Sequence, residues 1–353
     1  MPLPSIPDYS TSIKVPQLVH PAVLDNGHPI EKGTNVIKYA GGFCVVFPYE
    51  TPTKKYAVRC WHAEVGDVKK RTQIIADALK QSRLPYFVGF EYYEDGIVTP
   101  LGIQPIVVMD WVNALPLKKY IAKNLDNSNA LNKLADDFKA MVTDLHQKHI
   151  SHGDLQHGNI MVQDDGSLIL VDYDSMYVPE LQGMKDEIKG LVGYQHESRW
   201  KNDFVTEKAD YFSELVIYIS LKMLAYDNSY WSKLNIENTE TMAFTGDDIQ
   251  SKGTAPIFNE LSNISEIQPL IVKLCEFISF NSIDDLVPLE QAVVSKIDSI
   301  SSKWQSGNGF KASSKKAEID SSENIVSKWG NGNGYKTTSL SDEADNIATR
   351  WRK

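Results

Sequence analysis

The sequence predicts an α+β fold with two lobes, a small β-rich lobe followed by a larger helical one. Runs rich in β-branched and aromatic residues fill most of residues 31–112, whereas apolar residues at three- and four-residue steps dominate residues 113–298. A polar segment around Asp154 directly follows the strongest helical pattern. A length of 353 residues is enough for two such lobes and a tail. We therefore expect an extended arm over residues 1–30 and a flexible tail over residues 299–353.

Composition argues against several classes of function. The formal net charge is -10, which disfavours nucleic-acid binding through bulk positive charge. The three cysteines, Cys44, Cys60 and Cys275, lie far apart and lack metal-type spacing, so we expect neither a disulfide framework nor a zinc site. No apolar run reaches membrane-spanning length, and the start of the chain does not resemble a signal peptide. These features predict a cytoplasmic protein that binds neither membranes nor nucleic acid.

The segment at residues 152–159 carries the most informative side chains. It reads HGDLQHGN, in which Asn159 lies five residues after Asp154. A second carboxylate, Asp172, comes directly after the strand-like run that follows. In phosphoryl transfer one carboxylate accepts the proton of the attacking hydroxyl, while an amide oxygen and another carboxylate hold Mg²⁺. The pattern therefore predicts catalytic roles for Asp154, Asn159 and Asp172, the last two as metal ligands.

These two segments resemble the catalytic loop and the metal-binding loop of the protein-kinase-like superfamily, which usually read HRDxxxxN and DFG. The resemblance covers roughly residues 30–295, and it implies the two-lobed kinase fold with ATP and Mg²⁺ as cofactors. We expect His152 to be structural, as a packed and hydrogen-bonded loop histidine, with a proton shuttle as the alternative. Asp174 stands where the family usually has glycine, and both a place in the metal shell and a turn cap remain open for it.

Further likenesses lie in the strand-rich half of the chain. The stretch from Tyr39 to Val46 takes the place of the glycine-rich loop that covers phosphates, although an ordinary Gly-Gly hairpin turn explains it equally well. Residues 57–59 resemble the VAIK strand with Arg in place of Lys, and Ile75 falls near the position of the glutamate that usually pairs with that Lys. Met109 would guard the back of the adenine pocket, and residues 110–112 would form the hinge. The resemblance thus implies a nucleotide site built from Gly41, Gly42, Phe43, Val46, Ala57, Arg59, Met109, Asp110, Trp111 and Val112.

The segment from Asp172 to Glu197 has the length of a protein-kinase activation segment, and it closes with GLVGYQHE, a variant of GTxxYxAPE. Asp210, just before an apolar helix, resembles the buried Asp that accepts N–H bonds from the catalytic loop. Gly153 replaces the Arg that usually reads an activation-loop phosphate. The match is best to divergent bacterial Ser/Thr protein kinases. Two alternatives remain open: a small-molecule kinase of the aminoglycoside or choline type, and a pseudokinase scaffold that binds nucleotide.

The tail has a composition rich in Ser, Gly, Asn and Lys, and it contains a short repeat. In three copies an aliphatic residue precedes a Trp by four positions, and the copies end at Trp304, Trp329 and Trp351. One helical turn places both side chains on the same face. We interpret the repeats as docking motifs for a protein substrate, a regulatory partner or the kinase body itself. A low-complexity linker with incidental aromatic residues is the alternative interpretation.

Overall fold

The structure of the chain is a computed structural model. It describes residues 3–41, 43–63 and 67–293. The following predicted features lie outside the described residues: Gly42, the tail over residues 299–353, and its tryptophans Trp304, Trp329 and Trp351. The docking interpretation of the tail therefore stays a prediction. Within the described ranges, no helix has both the length and the apolar character that crossing a membrane requires.

The first lobe is built on an antiparallel sheet. The strands of the described chain are β1 (His28–Pro29), β2 (Glu31–Lys32), β3 (Asn35–Val36), β4 (Tyr39–Ala40), β5 (Cys44–Glu50), β6 (Lys55–Trp61), β7 (Phe90–Thr99), β8 (Gly102–Asp110), β9 (Leu115–Pro116), β10 (Ile160–Val162) and β11 (Leu168–Leu170). Strands β1, β5, β6, β8 and β7 lie side by side in that order, and β4 also pairs with β5. The register places Arg59 between Val46 and Val107, and it places Ala57 opposite Met109. The predicted nucleotide-binding residues therefore sit on neighbouring strands.

Strands β5 and β6 form the central hairpin of this sheet. Both are rich in β-branched and aromatic residues, which favour a pleated and buried surface. The turn between them is closed by Thr51, whose hydroxyl oxygen accepts the N–H of Lys54 at 3.1 Å. This tight connection fixes the register that aligns the two strands.

The first thirty residues differ from the predicted extended arm. Helix α1 (Ile6–Ser12) begins at a capping box in which Ser5 and Asp8 satisfy each other's backbone N–H groups. Tyr9 and Ile13 are buried against the outer face of the sheet, and the Tyr9 hydroxyl donates to the carbonyl of Trp61 at 2.9 Å. The segment is therefore packed structure that covers one face of the first lobe.

The second lobe is mainly helical. The remaining helices of the described chain are α2 (Val68–Ser82), α3 (Leu117–Lys123), α4 (Ser128–Gln147), α5 (Tyr211–Tyr226), α6 (Tyr230–Lys233), α7 (Gly246–Gln250), α8 (Pro256–Ser262), α9 (Gln268–Ser279) and α10 (Leu289–Ala292). Helix α2 belongs to the first lobe and packs on β7. Helix α4 buries the residues that its periodicity predicted, namely Leu131, Leu134, Phe138, Met141, Val142 and Leu145. Helix α5 is buried on nearly every face, so it forms the centre of this lobe. The predicted α+β arrangement of two lobes is present.

A histidine between two carboxylates ties helices α4, α5 and α10 together. His146 Nε2 lies 2.8 Å from Glu214, and Nδ1 lies 2.9 Å from Glu290. Burial lowers the pKa of His146, but the hydrogen bonds and charges of the two carboxylates outweigh burial and raise the pKa to about 9. His146 is consequently held as a cation where an unfolded histidine would be neutral.

Because the folded pKa lies above the unfolded value, protonation of His146 stabilises the fold at low pH. We expect this contribution, at most about 3 kcal/mol, to be complete below pH ~6.5 and to vanish as the pH rises through 9. Urea unfolding of wild type and His146→Gln between pH 6 and pH 9.5 measures it, with the exposed His149→Gln as control. A difference in unfolding free energy that stayed constant across this range would contradict the assignment.

Candidate active site

The buried carboxylate of Asp210 holds the loop at residues 151–159 in place. Asp210 directly precedes helix α5, and it accepts the backbone N–H of Gly153 at 2.9 Å and that of His152. Burial raises the pKa of Asp210, while these two N–H groups and the nearby charges oppose the rise. The structure thus places Asp210 in the contact that the family resemblance implied.

His152 joins this loop to the strand that precedes Asp172. Its side chain is fully buried, and Nε2 lies 2.9 Å from the carbonyl oxygen of Val171. The ring also packs edge-on against Tyr173, which in turn contacts Phe87 and Phe90. These contacts favour a structural role for His152 and leave no position from which it could act on a substrate.

The catalytic pair predicted from the sequence comes together in space. The side-chain nitrogen of Asn159 donates to the backbone oxygen of Asp154 at 2.8 Å and to its carboxylate at 3.1 Å. The N–H of Leu191 donates to the other carboxylate oxygen at 3.2 Å. Each carboxylate oxygen of Asp154 is therefore oriented by one donor, and both retain lone pairs for an acceptor hydroxyl.

The same geometry leaves Asn159 with an amide oxygen that could hold a metal, and Asp172 is the other predicted ligand. Because the amide nitrogen of Asn159 faces Asp154, its Oδ1 atom is left as the acceptor that a hard cation requires. The N–H of Val171 donates to the carbonyl of Asn159 at 3.0 Å, so Asp172 follows immediately beside it. In the described residues no group of three or more His, Cys, Asp or Glu side chains forms a metal cage. This donor set fits Mg²⁺, which takes one or two protein oxygens and completes its shell with phosphate and water.

Arg59 makes the contact that sequence reasoning missed. Its guanidinium is only 2% exposed, and it binds Asp174 through two parallel bonds, Nη1–Oδ1 at 2.6 Å and Nη2–Oδ2 at 2.5 Å. Burial lowers the pKa of Arg59, but the carboxylate outweighs burial and raises the pKa above its ordinary value. Neither role left open for Asp174 describes this bond, since the residue is the counter-ion of Arg59. Two departures in the sequence could have indicated this bond: Ile75 stands near the expected position of the helix glutamate, and Asp174 stands in place of the usual glycine.

The cavity between the lobes is lined by four of the residues predicted to bind nucleotide, whereas Gly41, Phe43, Val46, Arg59 and Trp111 do not line it. It is lined by Ala57, Val88, Met109, Asp110, Val112, Val171, Asp172 and Tyr173, and its volume is about 20 Å³. Nucleotide pockets have volumes of roughly 300 Å³ or more, so this cavity is smaller than a bound nucleotide requires. The N–H groups of Asp110 and Trp111 already donate to the carbonyls of Gly89 and Lys55. Two of the three predicted hinge residues therefore have backbone N–H groups that are already hydrogen-bonded within the first lobe.

The predicted phosphate-covering segment is a hairpin. Tyr39 pairs with Val46, and the N–H of Gly41 donates to the carbonyl of Cys44 at 2.8 Å. Val46 is buried under the hairpin, while Phe43 at its tip is half-exposed. The hairpin turn and a phosphate-covering role are compatible, because such a loop is itself the turn between two strands.

Comparison with known proteins agrees with this geometry. Residues 97–189 match the model of the family described as ABC1 atypical kinase-like domain. The matched stretch contains Asp154, Asn159 and Asp172 and extends into the activation segment. Over this stretch the chain is similar to an atypical kinase-like domain. No curated protein matches this kinase-like chain, and its placement in a bacterial Ser/Thr branch stays a prediction.

Two further features of the kinase-like chain were not predicted. Arg71 of helix α2 donates to the carbonyl oxygens of Asp174 at 2.9 Å and Met176 at 2.7 Å. A surface cavity of about 410 Å³ lies beside the end of the activation segment, lined by Val192, Gly193, Gln195, His196, Glu197, Trp200, Gly246, Ile249, Gln250, Lys252 and Ile278. We call this second cavity the segment pocket. Neither the Arg71 contacts nor the segment pocket belongs to a sequence motif, so neither could be predicted from a local pattern.

Proposed function

We propose that the chain is an atypical protein kinase that transfers the γ-phosphate of ATP to a protein hydroxyl with the help of Mg²⁺. The observation that carries the proposal is the Asn159 amide, which is turned so that its nitrogen orients Asp154 and its oxygen is left for a metal. An acidic surface loop without a function would not be expected to place one amide where it both orients a carboxylate and offers an oxygen to a metal. The match to an atypical kinase-like family supports the same chemistry.

The residues divide the work of phosphoryl transfer. Asp154 accepts the proton of the attacking hydroxyl, and the N–H of Leu191 keeps its carboxylate oriented. Asn159 and Asp172 would hold Mg²⁺, which neutralises charge on the phosphates when it is bound. Most of the catalytic benefit then comes from positioning, because the phosphoryl group itself needs little covalent help.

The segment pocket supports a protein acceptor over a small molecule. Val192 and Trp200, which line this pocket, are 50% and 46% exposed, so both offer apolar surface to a bound segment of protein. The pocket adjoins Leu191, which contacts Asp154 directly. A peptide anchored there would carry its hydroxyl toward the catalytic carboxylate.

A nucleotide-binding pseudokinase is the second candidate, and the ion pair between Arg59 and Asp174 favours it. The guanidinium of Arg59, expected to steady phosphate, is committed to Asp174. Nucleotide binding without phosphate transfer would favour this candidate.

The proposal is tested by incubating the full chain with γ-labelled ATP and Mg²⁺. Casein and histone serve as protein acceptors, and choline and kanamycin serve as small-molecule acceptors. We expect Mg²⁺-dependent label on protein, including the chain itself, and none on the small molecules. Label only on choline or kanamycin would contradict the protein acceptor, and the absence of both ATP binding and transfer would contradict the enzyme.

Truncating Trp200 is expected to weaken acceptor binding without affecting ATP. If the indole anchors the acceptor, Trp200→Ala raises the KM for protein by about tenfold, a loss typical of a tryptophan that anchors an interface. The KM for ATP should stay unchanged because the segment pocket lies outside the cavity between the lobes. Phe204→Ala is the matched control, since Phe204 is 56% exposed but does not line the segment pocket. Equal effects of both substitutions would rule out this pocket as the acceptor site.

A further inference from the structure

The ion pair between Arg59 and Asp174 joins two elements that both face the nucleotide site. Arg59 lies on β6, two residues after Ala57, which lines the cavity between the lobes. Asp174 lies two residues after Asp172, which lines the same cavity. The pair therefore links the strand that would reach the phosphates to the loop that would hold the metal.

Asp174 is the counter-ion that Arg59 finds in this fold. A buried guanidinium without a counter-ion costs several kcal/mol, so a partner is required. Helix α2 does not provide one at the position that the resemblance indicated, because Ile75 there is buried in the hydrophobic core. The two parallel bonds from Asp174 fix the plane of the guanidinium as well as its charge.

Helix α2 acts on this pair through the backbone. Arg71 donates to the carbonyl oxygens of Asp174 and Met176, so it holds the segment that carries the Asp174 carboxylate. A helix side chain thus fixes the main chain of the metal loop, and the metal loop in turn fixes Arg59. In the pattern that the resemblance implied, a glutamate on the helix contacts the strand cation directly. Here Arg71 of the helix contacts Arg59 only through Asp174.

We propose that Asp174 is the positioning residue for Arg59, and that Arg71 positions Asp174. Asp174 holds the guanidinium in the orientation from which it binds a nucleotide phosphate. The pair itself is neutral, so its contribution is a fixed geometry and not extra attraction. This inference rests on the proposed function, since it assigns a task within the same ATP site.

The test measures equilibrium binding of ATP with Mg²⁺ to the full chain by calorimetry. We expect Asp174→Asn to weaken affinity by about tenfold, which corresponds to losing one charge-assisted hydrogen bond. Asp186→Asn is the matched control, because Asp186 forms a comparable buried pair with Arg199 at 2.8 Å and neither residue lies within two positions of a residue that lines the nucleotide cavity. Asp186→Asn should lower the melting temperature and leave ATP affinity unchanged. Unchanged or tighter ATP binding by Asp174→Asn would overturn the proposal.

A rescue pair keeps the test decisive if Asp174→Asn fails to fold. Arg59→Lys shortens the cation, and Asp174→Glu lengthens the acid by one methylene group, so the double variant restores the reach between them. We expect Arg59→Lys alone to lose affinity and the double variant to regain most of it. A double variant that binds no better than Arg59→Lys would overturn the positioning role. If wild type binds ATP and transfers phosphate in either case, the proposed function survives; if wild type binds no ATP, both fail together.

Discussion

Replacing Asp154 by alanine is expected to slow phosphate transfer roughly 10³-fold, within the range for a lost general base. ATP affinity should remain at the wild-type value, because the role proposed for Asp154 is with the acceptor hydroxyl and not with the nucleotide or the metal. The loss arises from two causes: the acceptor hydroxyl has no group to take its proton, and Asn159 loses the carboxylate that it contacts at 3.1 Å. Single-turnover transfer of γ-labelled phosphate, with ATP binding measured separately, distinguishes chemistry from affinity.

Two further variants separate the causes of that loss. Asp154→Asn preserves shape and one acceptor oxygen but cannot take a proton, so it should be nearly as inactive as Asp154→Ala. Asp164→Ala removes an exposed carboxylate from the turn after β10 and serves as the control for lost negative charge. Wild-type transfer rates in Asp154→Ala would remove this residue from the mechanism.

The Gly153→Ala variant is expected to lose at least about 3 kcal/mol of unfolding free energy, among the larger losses for a single substitution. Gly153 has a φ of +76°, and a Cβ atom there would lie 2.0 Å from the backbone oxygen of Ser175. An alanine would therefore push the catalytic loop away from the segment that carries Asp174. The same contact explains why glycine stands where kinase-like proteins usually have arginine.

Gly183→Ala is the matched control for that substitution. Gly183 has a similar φ of +83°, but a Cβ atom there meets nothing within 4 Å. It should cost only about 1 kcal/mol, the penalty for the left-handed conformation alone. Urea unfolding of both variants measures the difference, and equal losses would show that the approach to Ser175 is not important.

The sequence predicted the parts of this fold that depend on local patterns. The apolar spacing of helix α4 and the adjacent HGDLQHGN segment lie within a few tens of residues of each other, so their proximity follows from the chain itself. Asp154 and Asn159 meet because a single short loop carries both. The helix over Ile6–Ser12 was missed because prolines and a short length obscured its capping box.

Contacts between distant segments could not be predicted in the same way. Arg59 and Asp174 are 115 positions apart, and each belongs to a motif that the resemblance assigned to another task. Only the combination of a missing helix glutamate and a surplus aspartate indicated that one compensates for the other. The segment pocket, likewise, is formed where α7 and the end of α9 meet the activation segment, and neither helix carries a motif.

We propose that Asn159 and Asp172 hold one magnesium ion against the phosphates of ATP. A crystal structure of the full chain with Mg²⁺ and a non-hydrolysable ATP analogue would test this. We expect Asn159 Oδ1 and an Asp172 carboxylate oxygen each to lie about 2.1 Å from the metal. A nucleotide bound elsewhere, or a metal that contacts neither side chain, would contradict it.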